Sequence, residues 1–344
     1  ALVPLLIVAE QGREWGWLSG ISVLCYAIGA AGFVAGWFIE RAMGDEALIP
    51  LRLFTNRTVA TSSITSVFVG MGMFGGLAAL PLYLQIVKGA SATEAGLQLL
   101  PMTLGIMFGS ILSGQLISKR GTYRQYPIIG AALLVAAMFA FHYVGADTPL
   151  WTSMIIMVFF GVGLGFNFQP LTLAVQNAVS PKDIGVATSS ATFTRQIGGT
   201  IGTAVFLSIL FSKAAENIPA RYQEAFATPA FQAAVRSPSG DPTANAQFLS
   251  QLKAAQTGSG AGFSSALSDS SFVKLIDPAL SHPYLVGFAE AMSAVFLTAS
   301  AVLVFALIAS WFLPHVELRS NAAFAKSRAE HAASGGDAAP PIAH

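Results

Sequence analysis

Long apolar stretches separated by polar segments run through most of this chain. Seven of them approach or exceed the roughly 20 residues that a helix needs to cross the hydrocarbon core of a bilayer. In chain order they are Leu18–Phe38, Thr58–Val87, Ala95–Ser118, Gln125–Val144, Leu150–Val179, Ala187–Phe211 and Tyr284–Leu313. Backbone groups in lipid must find hydrogen-bond partners within their own segment, so each stretch is expected to be a helix. The pattern therefore predicts an all-α, polytopic membrane protein.

The polar segments differ in length. Most are short, but residues 212–283 form a long segment rich in Ala, Ser, Gly and Pro, in which Tyr222–Val235 and Ala244–Ala255 have the pattern of short amphipathic helices. The opening residues, ALVPLLIVA, are apolar but too short to span a bilayer, and we expect them to be the end of a helix that begins upstream. The tail from Asn321 has the composition of a disordered segment.

Composition agrees with lipid as the solvent. Hydrophobic residues make up 54% of the chain and charged residues 10%, and the mean hydropathy is +0.63, whereas soluble domains carry about 25% charge. Lys and Arg are scattered, without the basic stripe that a nucleic-acid partner would need. A single cysteine, Cys25, excludes an intrachain disulfide. No spacing typical of a zinc site, a nucleotide-binding loop or a nucleophile elbow occurs, so we expect no enzyme, no cofactor and no metal.

The distribution of basic residues predicts which side of the membrane each loop faces. If the connector over residues 40–57 is cytoplasmic, the basic residues that share its side are Lys119, Arg120, Arg124, Lys182, Arg319, Lys326 and Arg328. The short loops on the opposite side then hold only Arg13 and Lys88. Because cytoplasmic loops carry the excess of Lys and Arg, this asymmetry predicts a cytoplasmic C-terminus and places residues 212–283 outside.

Several strings resemble a known transporter family. PLYLQIVKGASATEAGLQLLP (Pro81–Pro101) resembles the junction between the first two helices of the C-terminal half in fourteen-helix drug:proton antiporters of the EmrB/QacA type, a branch of the major facilitator superfamily. TRQIGGTIGTA (Thr194–Ala204) resembles their penultimate helix, and FAEAMSAVF (Phe288–Phe296) their last helix. Six crossings between Arg57 and Leu313 are the number in one half of such a transporter, which consists of two inverted three-helix units.

This resemblance implies a domain organisation. Residues 1–40 would be two linker transmembrane helices, the first of them truncated, and residues 41–57 a cytoplasmic connector. Residues 58–313 would be the C-terminal six-helix transport domain with the extracytoplasmic loop 212–283, and residues 314–344 a cytoplasmic tail. The resemblance also implies the bacterial cytoplasmic (inner) membrane, coupling to protons, and a missing N-terminal six-helix half in which family members usually carry the coupling carboxylate.

Arg195 is the first candidate for a functional residue, because it is a charge inside an apolar stretch. Counted from Gly185, it lies about 15 Å deep along a helix. A lone guanidinium near the bilayer centre costs about 2.5–3.5 kcal/mol on insertion scales, so it should face a partner or a wet cavity rather than lipid. It either binds a polar or acidic group, takes part in gating, or is a structural cation bonded to another helix.

Other polar side chains of the apolar stretches are candidates for the substrate cavity or for gating. They are Asn167, Gln169, Gln196, Tyr83 and Gln85. Interhelical hydrogen bonding explains the amides equally well, and interfacial anchoring explains Tyr83 and Gln85. Glu290 is the candidate for proton coupling, since burial favours a protonated carboxyl group. The simpler alternative is an acid favoured by the dipole at a helix N-terminus.

One polar loop resembles a motif of the superfamily. GQLISKRGTYR, residues 114–124, resembles the cytoplasmic motif G-x-L-x-D-R-x-G-R, and its matching residues are Gly114, Lys119, Arg120, Gly121 and Arg124. Ser118 stands where an aspartate is typical. The gating salt bridge that this aspartate would make is therefore not expected here.

Two glycine pairs have the spacing of a helix-packing motif. They are Gly161 with Gly165 and Gly198 with Gly202, and residues four apart share one helix face. No side chain separates the backbones along such a strip, so another helix can approach closely. In a transporter such contacts also have to slide.

The features together predict a proton-coupled secondary transporter that exports hydrophobic or amphipathic compounds, as in multidrug efflux, by alternating access. An alternative cargo within the same fold is a lipid or lipid-linked product. The alternative from another class is a non-transporting membrane scaffold or sensor. The expected partners are a small hydrophobic or amphipathic substrate, protons, the lipid bilayer, the missing half and, as an option, a periplasmic adaptor, but no nucleic acid.

Overall fold

Residues 16, 18–43, 51–239, 241–256 and 275–314 are described by the computed structural model of this chain, together with residues 4, 7 and 8. Most of the predicted partial helix at residues 1–9 lies outside the described residues. So do residues 44–50 of the connector, residues 257–274 of the long outer segment and all of the predicted tail except Pro314.

The helices follow the apolar stretches of the sequence. They are α1 (Gly20–Met43), α2 (Arg57–Leu82), α3 (Ala92–Gln98), α4 (Leu100–Arg120), α5 (Gln125–His142), α6 (Leu150–Ala178), α7 (Ile184–Phe226), α8 (Pro229–Arg236), α9 (Pro242–Gln256) and α10 (Pro278–Trp311). A π-helical turn, Tyr83–Val87, extends α2. Asn56 starts α2 by accepting a hydrogen bond from the Thr58 N–H at 2.9 Å, which satisfies one of the free donors of the first turn.

Six helical segments within the described residues are long and apolar enough to cross a membrane, which confirms the predicted all-α, polytopic fold. They are α2 with its π-helical turn, α3 together with α4, α5, α6, α7 and α10. The short turn between α3 and α4 does not interrupt the crossing, because Leu99 keeps a helical backbone and its N–H still bonds to the preceding turn.

The six segments form two sequential units of three, and most of their contacts run between the two units. The most extensive contacts join α2 to α7 and α4 to α6, while α5 packs against α10. In addition α6 lies on α5, and α2 lies on α10. Exchanging the first three helices for the last three reproduces these pairs, as two inverted three-helix repeats would. It does not reproduce the packing of α7 against α10, because α4 and α5 make no comparable contact.

Backbone contacts at glycines explain how closely two of these pairs approach. A Cβ atom added to Gly161 of α6 would collide with the Met102 carbonyl of α4. One added to Gly198 of α7 would collide with the Val67 carbonyl of α2. The same close approach occurs one turn further on at Gly165 and Gly202. Any larger residue at these positions would force the helices apart.

The end of the bundle at which α2 begins carries many cations, and we call it the basic end. Its basic residues are Arg52, Arg57, Lys119, Arg120, Arg124 and Lys182. Two contacts there join the start of α2 to the junction between α6 and α7. Asn56 donates to the Ala178 carbonyl at 2.9 Å, and Arg52 donates to Asp183 at 2.9 Å. The connector is thereby attached to the second three-helix unit.

The opposite end is covered by a helical cap, which we define as residues 212–239, 241–256 and 275–283. The prediction of a loop with separate short helices is wrong in part, because α7 runs on to Phe226 and α10 begins at Pro278, whereas the predicted helix Ala244–Ala255 is present as α9. Tyr222 therefore belongs to α7, and only the second part of the predicted helix, as α8, is separate. A fall in hydropathy marks where lipid exposure ends. It does not end the helix, since the residues after Phe211 include many good helix formers.

Aromatic rings and one carboxylate hold the cap together. The ring centroid of Tyr222 is 6.0 Å from that of Phe231 and 5.8 Å from that of Phe248. Asp277, just before α10, accepts hydrogen bonds from the backbone N–H of Ser239 at 2.7 Å and from its hydroxyl at 2.6 Å. The cap thus has its own apolar contacts, and hydrogen bonds to Asp277 attach it to the start of α10.

Candidate functional site

Arg195 lies about 16 Å along α7 from the start of that helix. Its guanidinium carbon, Cζ, is 4.6 Å from the ring centroid of Phe168 on α6, an arrangement worth about 0.5–2 kcal/mol depending on desolvation. Its Nε atom is buried and has no hydrogen-bond partner among the described residues. No carboxylate of the described residues forms an ion pair with Arg195. The positive charge is therefore held in place but not neutralised.

Three helices converge on this arginine. α7 carries it, α6 supplies the Phe168 ring, and α2 approaches at Gly70. A Cβ atom on Gly70 would collide with the Arg195 carbonyl and would stand 3.2 Å from the Gly199 nitrogen. These backbone contacts fix α2 against α7 at the level of Arg195. The position of the guanidinium is therefore set by a closely packed part of the bundle, where α2 and α7 meet.

Two of the predicted amides, Gln169 and Gln196, are exposed and are sequence neighbours of Phe168 and Arg195. The Cγ of Gln169 is 3.8 Å from the place where a Cβ atom would stand on Gly114 of α4. We call Phe168 and Arg195, together with these two neighbours, the Arg195 surface. Its cation and aromatic face can together bind a molecule that has both an acidic or polar group and an apolar body.

Asn167, predicted as a cavity residue, lies elsewhere. Its side chain is fully buried, and its amide nitrogen donates to the Gly163 carbonyl at 2.8 Å. A Cβ atom on Gly130 of α5 would stand 2.5 Å from that nitrogen. Asn167 thus lies in the interface between α6 and α5, but its hydrogen bond is to its own helix and not, as in the alternative, to a neighbouring one.

Tyr83 and Gln85 are also apart from the Arg195 surface. Tyr83 is fully buried, and its hydroxyl donates to the Gly145 carbonyl at 3.1 Å. It lies about 20 Å beyond Gly70 along α2, near the cap. Gln85 is half-buried in the same π-helical turn. Neither side chain is placed to meet a molecule bound next to Arg195.

Glu290 is in an ion pair that the sequence reasoning did not identify. The Nε atom of Arg221, on the outer part of α7, donates to Glu290 at 3.0 Å, and a second nitrogen of the same guanidinium contacts the other carboxylate oxygen. Glu224, one turn along α7, binds Arg221 as well. Arg221 and Glu290 are each 37% exposed. Glu290 is thus a paired carboxylate near the cap and not an isolated acid. The i, i+3 spacing of Arg221 and Glu224 was the available sign that α7 continues there.

The loop motif lies at the basic end and has a structural arrangement of its own. Gly121 ends α4 in the left-handed conformation with φ 71°, which glycine adopts at no steric cost. Lys119 and Arg120 are exposed. Arg124 donates to the Trp311 carbonyl at 2.8 Å, so it attaches the start of α5 to the end of α10. Ser118 stands at the acid position of the superfamily motif, and the contact of this loop to a helix C-terminus is made by Arg124.

Comparison with known proteins agrees with this geometry. Residues 1–203 match the sequence pattern of the Major Facilitator Superfamily. The chain belongs to this superfamily. A tetracycline resistance determinant of Streptomyces rimosus is 37% identical over 318 residues, 92% of this chain and 89% of that protein. An uncharacterized MFS-type transporter of Mycobacterium tuberculosis is 37% identical over 209 residues. Multidrug transporter protein MdtP of Bacillus subtilis is 31% identical over 206 residues.

A solved structure shows the same fold. The crystal structure of a bacterial homolog of the human lysosomal transporter Spinster, inward-facing and unoccupied, matches with a TM-score of 0.51 and 19% identity, over 76% of this chain and 49% of that one. The chain covers only 30% of the Mycobacterium tuberculosis relative and 38% of MdtP. Membership of this superfamily identifies the chain as a multi-pass membrane protein of a transporter family and not an enzyme.

Proposed function

We propose that this chain is the C-terminal portion of a proton-coupled exporter that removes hydrophobic or amphipathic compounds from the cell by alternating access. Superfamily membership and the similarity to a tetracycline resistance determinant and to a multidrug transporter support drug efflux as the class of activity. One observation carries the proposal. The guanidinium of Arg195 is held against Phe168, with a buried Nε that has no partner in the described part of the chain.

An uncompensated cation at this depth needs a partner for at least part of the transport cycle. Its cost of about 2.5–3.5 kcal/mol falls when an acidic group or water reaches it. That group is either an acidic or polar group of the substrate or a carboxylate of the opposing half. In both cases Arg195 changes partners as the transporter switches sides, and the Phe168 ring keeps the guanidinium in position meanwhile.

The proposal places the chain in the fourteen-helix EmrB/QacA branch. Residues 1–40 are then the linker helices, residues 58–313 the C-terminal domain, and a second six-helix half faces the Arg195 surface across a midplane cavity. The six membrane-length helices and their partly repeated contacts support a single transporter half as the unit. The chain covers 30% and 38% of two relatives, which leaves room for a second half in those proteins, and 89% of the Streptomyces rimosus protein.

The orientation belongs to the same proposal. The basic end lies on the cytoplasmic side of a bacterial inner membrane, because its cations include those of the predicted cytoplasmic loops. The C-terminus is then cytoplasmic, and the cap lies outside, where a periplasmic adaptor has a helical surface to contact.

Proton coupling involves a carboxylate of the absent half, and Glu290 stays a candidate within this chain. Protonation of Glu290 would break its ion pair with Arg221 and loosen α10 from the outer part of α7. The test is a Glu290→Gln exchange in the complete transporter. An unchanged pH dependence of transport would remove Glu290 from the coupling mechanism.

The main experiment measures transport by the complete protein in proteoliposomes with an imposed pH gradient. We expect accumulation of amphipathic dyes to collapse when a protonophore removes the gradient. Amphiphiles with an acidic group should compete more strongly than neutral analogues of the same shape. Dye accumulation that stays the same when the pH gradient is removed would refute proton coupling. A complete lack of transport of every dye and drug in the panel would refute efflux.

A further inference from the structure

A groove at the basic end lies apart from the Arg195 surface. Its volume is about 320 Å³. It opens between the start of α2, the start of α5 and the end of α10, and its lining residues are Arg57, Arg124, Trp311, Phe312, Leu313 and Pro314. None of these lining residues is acidic, so the two guanidinium groups set the charge of the groove.

Neither cation forms an ion pair with a carboxylate of the described residues. The Arg57 side chain is exposed and makes no hydrogen bond or ion pair within the described residues. Arg124 donates one terminal nitrogen to the Trp311 carbonyl, but its Nε is buried without a hydrogen-bond partner in the same part of the chain. Arg52, which also lies at this end, is by contrast paired with Asp183. The groove therefore retains hydrogen-bond donors for an anion.

Two helix starts add to the positive potential. α2 begins at Arg57, and α5 begins at Gln125 without a side-chain cap for its first turn. Helix N-termini carry a partial positive charge and free N–H groups, which favour phosphate and other oxyanions. Two guanidinium groups beside two helix starts match a phosphate better than they match a carboxylate, because a phosphate offers more acceptor oxygens.

The aromatic residues beside the groove indicate where the anion comes from. Trp311 is 64% exposed and Phe312 is 58% exposed, at the end of a helix long enough to cross a membrane. Exposed Trp at a helix end is typical of the headgroup region of a bilayer. A soluble anion would not need such rings, whereas a lipid places its acyl chains against them.

We propose that this groove binds the phosphate of an anionic phospholipid, with the guanidinium groups of Arg57 and Arg124 as hydrogen-bond donors and with Trp311 and Phe312 against its acyl chains. The lipid then links α2, α5 and α10 at the basic end. The inference is independent of which substrate the transporter carries.

Native mass spectrometry of the purified protein tests the site, with phosphatidylglycerol and phosphatidylcholine of the same acyl chains as probes. We expect a retained phosphatidylglycerol adduct in the unmodified protein, with an affinity about tenfold above that for phosphatidylcholine. The Arg57→Gln variant, which loses no hydrogen bond or ion pair of the described residues, and the Arg57→Gln/Arg124→Gln double variant should each reduce this preference, the double variant more. The matched control is Arg120→Gln, which removes an exposed cation of the same end that does not line the groove.

The outcomes separate the lipid from other sources of phosphate. Equal phosphatidylglycerol retention by all variants would overturn the proposal, and so would an equal loss in the Arg120→Gln control, since either result leaves only non-specific attraction. A third arm adds inorganic phosphate as competitor. Tight binding of inorganic phosphate without retention of phosphatidylglycerol would identify a soluble anion and overturn the lipid assignment.

Discussion

Two arginines of α7, one in its inner part and one in its outer part, differ in whether a carboxylate compensates their charge. Arg195 lies about 16 Å from the start of the helix, and Arg221 lies about 39 Å further on. Arg221 binds two carboxylates, Glu224 on its own helix and Glu290 on α10. Arg195 has an aromatic ring beside it and no carboxylate in the described part of the chain. The same side chain is thus compensated near the cap and uncompensated within the bundle.

The surroundings of the two residues explain this difference. α7 has 43 residues and is about 65 Å long, whereas the hydrocarbon core is only about 30 Å thick. Arg221 therefore reaches the membrane surface, where ion pairs are cheap to form and contribute little. Arg195 lies within the core, where helix contacts are made by glycine backbones. The proposed role of Arg195 rests on this lack of a partner, whereas Arg221 is compensated by two carboxylates.

The largest expected effect tests this comparison directly. Arg195→Gln should lower the initial rate of transport about 100-fold, since a buried charge-assisted contact is worth 2–5 kcal/mol or more. Arg195→Lys should recover part of the rate, because it keeps the charge but loses the planar group over Phe168. Arg221→Gln is the comparison variant and should lower the rate far less than Arg195→Gln, because Arg221 is compensated by two carboxylates near the cap. Proteoliposome rates at equal protein content measure all three, and equal losses at positions 195 and 221 would break the distinction.

The second prediction concerns how the inner part of α7 is positioned. Gly198→Val should destabilise the bundle by about 1–3 kcal/mol, because the new side chain meets backbone atoms of Val67 that cannot move aside. Gly185→Ala is the control, since nothing lies within 4 Å of a Cβ atom there. Thermal unfolding in detergent compares the two variants. If Gly198→Val were as stable as the control, α2 and α7 would be further apart than described.

The third prediction concerns the cap and its dependence on pH. The pKa of Asp277 is lowered from its ordinary value of 3.8, chiefly because the hydroxyl and backbone N–H of Ser239 donate to the charged form. A lowered pKa means that the carboxylate stabilises the cap fully above about pH 4 and that this contribution is lost as the pH falls through the lowered value. Asp277→Asn should remove about 1–2 kcal/mol at neutral pH.

Hydrogen exchange of residues 239–245, corrected for intrinsic rates, measures the opening of the cap. The unmodified protein should lose protection below about pH 4, while Asp277→Asn should show lower protection with little further change. Protection that is equal in both proteins at neutral pH would show that Asp277 does not hold the cap to α10.

The smallest expected effect concerns the ion pair itself. Arg221→Gln and Glu290→Gln should each destabilise the protein by about 0.2–1 kcal/mol, because both side chains are more than one third exposed and screened by water. The double variant should cost less than the sum of the two single variants. A coupling energy of several kcal/mol would instead show that this pair is as buried as Arg195, and the contrast along α7 would fail.

Part of the candidate site was predictable from the sequence. Arg195 stood out because a charge in an apolar stretch is expensive, and Gly198 stood out because small residues four apart share a helix face. The interface position of Asn167 was not predictable as such, since an amide in a membrane helix satisfies either a substrate or a neighbouring helix. The pairing of Glu290 was missed because its partner lies 69 residues away, in a segment interpreted as loop.

Hydropathy alone determined that this protein is a bundle of membrane-crossing helices, because lipid leaves a backbone only internal hydrogen bonds. It also determined where the crossings lie to within a few residues for most of the helices. Only the tertiary structure decided how far α7 and α10 extend beyond the membrane and which side chain meets which. Apolar length carries no information about how one helix is rotated against another, and that rotation separates the unpaired Arg195 from the paired Arg221.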